Sequence, residues 1–135
     1  MNNHIKQICK DLKIKRPQVS NDTSVFTSST MMAMVSPNGK TIHIPDRPAD
    51  PDLLFSVAHE LRHIWQMQNV PQIYENYKPR EHCFTIQEYN LQEAELDANA
   101  YAGHIMIKLY GLYPRFDGMA ETVKNEIYKR MENLQ

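Results

Sequence analysis

The run His59-Glu60-Leu61-Arg62-His63 sets two imidazoles four residues apart, with a carboxylate beside the first. On a helix this spacing brings both rings to one face, one turn apart, where they can reach a single metal ion. Glu60 lies about 100° around from His59, beside such an ion and not beneath it, where a base can act on a metal-held water. A zinc site that keeps a position open for water needs a third protein donor. In Glu93-Ala94-Glu95-Leu96-Asp97-Ala98, Glu93 and Asp97 are spaced i, i+4 on one helical face. Ala94, Ala98, Ala102, Ile105 and Leu109 line the opposite side, and Glu95 points elsewhere. The expectation is therefore that His59, His63 and Glu93 hold the ion, with Glu60 as catalytic base. Asp97 would accept an N–H from a ligating imidazole and fix its tautomer. The competing reading is that Glu93 and Asp97 merely solvate a surface helix. His82-Cys83 is an alternative source of the third donor, with no helix to fix it in place. His104 shares the Glu93 face but sits about 16 Å along the axis, too far for the same ion. His4 and His43 read as structural or solvated.

Several elements must position these groups. Ile5, Ile8, Cys9 and Leu12 recur at helical spacing, which predicts a short amphipathic helix from Asn3 to about Lys13, ended by Arg16-Pro17. Ser36-Pro37-Asn38-Gly39 is turn chemistry within a β-rich segment. It predicts a hairpin with arms near Met31 to Val35 and Lys40 to Ile44, and a third strand near Val25 to Thr27. Asp50-Pro51 offers an N-cap and a proline at the first helical position for the motif helix, which runs to about Gln68. In that helix Leu54, Val57, Ala58, Leu61, Ile64 and Trp65 form one apolar face. Asp52, Ser56, His59, His63 and Gln66 lie roughly opposite, so the histidines are expected off the core. A long irregular connection follows from Asn69 to Phe84. A long helix from Thr85 to Tyr110, closed by Gly111, and a C-terminal helix with Ala120, Val123, Ile127, Met131 and Leu134 on its stripe complete the chain.

The 135 residues suit a single domain of α+β class, mainly helical with a small antiparallel sheet. Residues 1–20 would be an N-terminal helix and linker, 24–110 the core and 114–135 the C-terminal helix. A formal charge of -1 gives no long-range field toward nucleic acid or an anionic membrane. Cys9 and Cys83 lack paired spacing and read as free thiols. No apolar run suits a signal peptide or a membrane span, so a cytoplasmic monomer is the default expectation.

HExxH followed on a later helix by ExxxD, as His59 to His63 and Glu93 to Asp97, resembles the gluzincin branch of the zincin metallopeptidases, to which thermolysin belongs. Size and element order, over roughly residues 25–110, also resemble the small prophage-associated ImmA/IrrE-type peptidases and the minimal gluzincins. The resemblance implies a minimal zincin fold with one catalytic Zn2+. It implies hydrolysis of a peptide or protein substrate through a metal-bound water activated by Glu60. It further implies a substrate extended along an exposed edge strand, for which Met31 to Val35 is the candidate. A side chain stabilising the oxyanion is also implied. Tyr74, Tyr77, Arg80 and His82 in the connection, and Tyr101, are the candidates for that role or for substrate contact. Two rival functions remain open: a catalytically silent metal-binding or interaction module of prophage origin, and a metal-free helical interaction protein.

Overall fold

A computed structural model describes residues 1–134. Among these, five helices surround a three-stranded sheet, a mainly helical α+β arrangement. Helix α1 (Asn2–Leu12) buries Ile5, Ile8, Cys9 and Leu12 and ends on Lys13 in the left-handed region. Strands β1 (Gln18–Ser20), β2 (Met34–Val35) and β3 (Thr41–His43) lie in the order β1-β3-β2. The expected hairpin forms with shorter arms, pairing Met34 with His43 and Val35 with Ile42. The third strand is not near Val25 to Thr27. It is β1, parallel to β3, so the sheet is mixed and not purely antiparallel. Local bonds explain the difference: Ser24 N–H to Asp22 Oδ1 and Thr30 N–H to Ser28 Oγ turn the polar 22–30 segment on itself, in competition with strand pairing.

Helix α2 (Pro51–Asn69) carries the motif. Asp50 caps it by accepting the Leu53 N–H at 2.8 Å, and Pro51 occupies the first helical position. Its apolar face, with Leu53, Val57, Ala58, Leu61 and Ile64 buried, packs with α1, the sheet and α4 into the main core. The single long helix expected from Thr85 is broken. Thr85 caps a short α3 (Ile86–Asn90), Gln92 is extended, and α4 (Glu93–Tyr110) starts afresh. The Gln92 side chain explains the break, because its amide pairs with both the N–H and the C=O of Lys78 in the preceding connection. Gly111 takes the left-handed conformation that closes α4.

Helix α4 is covered from two sides. Tyr101, Ala102 and Ile105 join the main core, whereas Leu96 and Ala100 pack with Val123, Ile127 and Met131 of α5 (Glu121–Asn133). Gly103 lets α5 approach closely, since a Cβ there would lie 2.8 Å from Met131 Sδ. Both cysteines are free and buried. No helix among the described residues is long and apolar enough to cross a membrane.

Candidate metal centre

Helix α2 brings His59 and His63 edge to face, with their Nε2 atoms 3.1 Å apart. Opposite them, α4 presents Glu95, whose Oε1 is 3.2 Å from His59 Nε2 and whose Oε2 is 3.1 Å from His63 Nε2. Three donor groups from two helices thus converge on one point. Donors about 2.0–2.1 Å from a tetrahedral zinc stand roughly 3.3 Å apart, close to the separation of the two Nε2 atoms and of each from its nearer Glu95 oxygen. The donor atoms of His59, Glu60 and His63 also fall within 4.8 Å of one another, a looser set that places Glu60 beside the point of convergence.

The outer partners fix the tautomers. His59 Nδ1 lies 2.8 Å from Asn99 Oδ1, and His63 Nδ1 lies 2.8 Å from Gln66 Oε1. Gln66 Nε2 donates to Ala94 O and Asp97 Oδ2, so Oε1 is the acceptor facing His63. These bonds place a proton on each Nδ1, away from the centre, and leave Nε2 as the atom that faces inward, as in a ligating histidine.

The electrostatics have one dominant feature. Burial should raise the pKa of Glu95, but hydrogen bonds and charge from His59 and His63 outweigh it and hold the carboxyl well below its ordinary value. Burial opposes a proton on His63, yet Glu95 overrides this too, and its pKa is raised to about 9. A metal-free centre thus holds a proton where a cation could sit. Glu60 is shifted upward, mainly by desolvation, against the opposing pull of His63 and His59. The Val35 N–H also reaches its carboxylate and favours the charged form. Val35 lies on β2, an edge strand, so the free edge of the sheet borders Glu60.

Glu93 does not face the imidazoles. Its carboxylate, 65% exposed, is held by Arg130 at 2.8 and 2.9 Å. Asp97 does not touch a ligating imidazole either, but takes a bidentate pair from Arg62 at 2.8 and 3.1 Å and reaches His63 only through Gln66. The positions expected for Glu93 and Asp97, facing the imidazoles, are taken by Glu95 and Asn99, again spaced i, i+4. The difference arises because α4 is buried on more than one face. Glu93, Asp97, His104 and Lys108 share one angular sector, and Glu95 and Asn99 lie roughly across from it among alanines and Gly103. That clustering of small residues on more than one side was the available signal. Gln66, expected on the outer face of α2, is fully buried, because that face packs on α4.

The connection after α2 covers the centre with tyrosines. Tyr74 OH lies 2.9 Å from His63 Nδ1 and 2.6 Å from Gln66 Oε1, and Tyr77 OH lies 2.9 Å from Glu95 Oε2. Tyr89, which the sequence did not single out, stands 3.2 Å from the Tyr77 hydroxyl. His82 is exposed on a 3-10 turn (Arg80–His82), and the Cys83 thiol donates to Lys78 O, so that pair is not brought to the centre. Tyr101 donates to Asp11 Oδ2 on α1, away from the imidazoles. A groove of about 440 Å3 opens beside Arg62, Trp65, Ile73, Glu93 and Arg130, and neither motif histidine nor Glu95 lines it. Its size attracts notice, but the convergent donors are elsewhere. No protein-family model, curated protein or solved structure matches the chain.

Proposed function

We propose that the chain is a zinc-dependent peptidase of zincin type. The observation that supports this most directly is the convergence of His59, His63 and Glu95, with the two Nε2 atoms 3.1 Å apart, one Glu95 oxygen 3.1–3.2 Å from each, and both Nδ1 atoms engaged on the outside. A bound zinc ion would acidify water and polarise a carbonyl at this point. Glu60 accepts the proton of the attacking water and returns it to the leaving amine. Its upward shift suits this work, since a carboxylate closer to neutrality both takes and gives a proton readily. The free edge of β2 beside Glu60 suits an extended peptide, which would add main-chain hydrogen bonds there. This reading replaces Glu93 by Glu95 as third donor and Asp97 by Asn99 as the partner of an imidazole, and keeps His59, His63 and Glu60 in their expected roles. A purely structural site would fill all four positions with protein donors and would have no use for a desolvated carboxylate beside them.

The deciding experiment pairs elemental analysis with peptide cleavage for the parent and Glu60→Gln. The parent should carry one zinc per chain and cleave. Glu60→Gln should keep its zinc and lose about 100-fold or more of the activity. Undiminished cleavage by Glu60→Gln would refute the mechanism. Parent protein that neither carries zinc nor takes it up would remove the metal reading altogether.

A further inference from the structure

The 70–92 connection does more than cover the centre. Asn76 adopts a left-handed conformation, φ 66°, which lets Tyr74 and Tyr77 face the same side, their rings edge to face at 5.3 Å. The Gln92 amide bonds Lys78 N–H at 2.7 Å and Lys78 O at 2.9 Å, pinning the segment at the start of α4. Thr85 and Glu88 cap α3 reciprocally: Thr85 Oγ1 accepts the Glu88 N–H and Glu88 Oε2 accepts the Phe84 N–H. This fixes Tyr89 against Tyr77.

We propose, on the basis of the zinc reading above, that Tyr77 is a positioning residue whose hydroxyl directs Glu95 to bind the metal through Oε1 alone, so that metal retention depends on docking of the 70–92 connection. A phenol has one proton to give. At 2.9 Å from Oε2 it occupies a lone pair of that oxygen, whereas Oε1 faces His59 Nε2 at 3.2 Å. One-oxygen binding by Glu95 leaves a coordination position vacant, and two-oxygen binding would fill it. Tyr89 holds the Tyr77 hydroxyl from behind. Packing alone would be served equally well by phenylalanine, so the hydroxyl is the part with this role.

The test compares the parent with Tyr77→Phe and Tyr89→Phe. Zinc affinity is measured against a chromophoric chelator, and the visible absorption of the Co2+-loaded protein is recorded. Tyr77→Phe should bind zinc about 10-fold or more weakly. Its cobalt spectrum should lose intensity, because a carboxylate freed to chelate raises the coordination number above four. Tyr89→Phe should shift both readouts the same way by less. Parent affinity and parent cobalt spectrum in Tyr77→Phe would overturn the proposal. If circular dichroism shows metal-free Tyr77→Phe to be unfolded, Tyr89→Phe decides, and its identity with the parent in both readouts would overturn the proposal. A parent that takes up neither ion is a different result, and removes the zinc reading itself.

Discussion

Two pairs of side chains on the first turns of α4 have similar chemistry and the same spacing, yet opposite settings. Glu95 and Asn99 are 2% and 4% exposed and face two imidazoles. Glu93 and Asp97 face two guanidinium groups, Arg130 and Arg62. A guanidinium neutralises its carboxylate and fills its lone pairs, so the Glu93 and Asp97 pairs are complete as they stand. A buried carboxylate facing two imidazoles is not complete until a positive charge joins it, because an unpaired buried charge is costly. That deficit is why His63 holds its proton to about pH 9, and it is also what a divalent cation would satisfy. Residue type and spacing do not separate a metal donor from an ion-pair partner; the groups across the interface do.

The comparison breaks most sharply on substitution of the two glutamates. Glu95→Gln should lose zinc by more than about 100-fold, beyond what removal of an outer partner costs, while Glu93→Gln keeps full zinc content by elemental analysis. The reverse result would return the third donor to Glu93. Acidity probes the same deficit. The His63 pKa is raised from 6.5 in the unfolded chain to about 9 in the fold. Its pairing with Glu95 therefore stabilises the metal-free fold fully below pH 6.5, and this contribution disappears as pH rises through 9. Zinc must displace that proton, so its apparent affinity should climb by about tenfold per pH unit across this window and then level off. A zinc titration showing constant affinity from pH 6.5 to 9 would contradict the arrangement.

The smallest effects separate the amide from its acidic neighbours. Asn99→Ala should weaken zinc by about 10–100-fold through loss of the His59 tautomer. Asp97→Asn should leave zinc in place but cost about 1.5–3 kcal/mol in urea unfolding, as a charged hydrogen-bonded pair with Arg62 is lost. Arg130→Ala, at the more exposed pair, should cost no more than about 1 kcal/mol, and less as salt is added. Zinc loss in Asp97→Asn with none in Asn99→Ala would restore the assignment of Asp97 as the imidazole partner.

Local chemistry made much of the fold legible. Asp50-Pro51 starts α2, Ser36 to Gly39 turns the hairpin, and Gly111 closes α4, each through bonds or torsions within a few residues of itself. Non-local pairing was not legible. The parallel partner of β3 comes from Gln18–Ser20, some twenty residues before it, with no local signal marking it as a strand.

For the candidate centre the division is similar. The sequence alone determined that two imidazoles share one face of α2 with a carboxylate beside them, because helical geometry fixes the i, i+4 relation whatever surrounds it. Only the tertiary structure decided which carboxylate of α4 meets them. The choice between Glu93 and Glu95 depends on how α4 is rotated between α2 and α5, and side-chain packing from elements far apart in the chain sets that rotation.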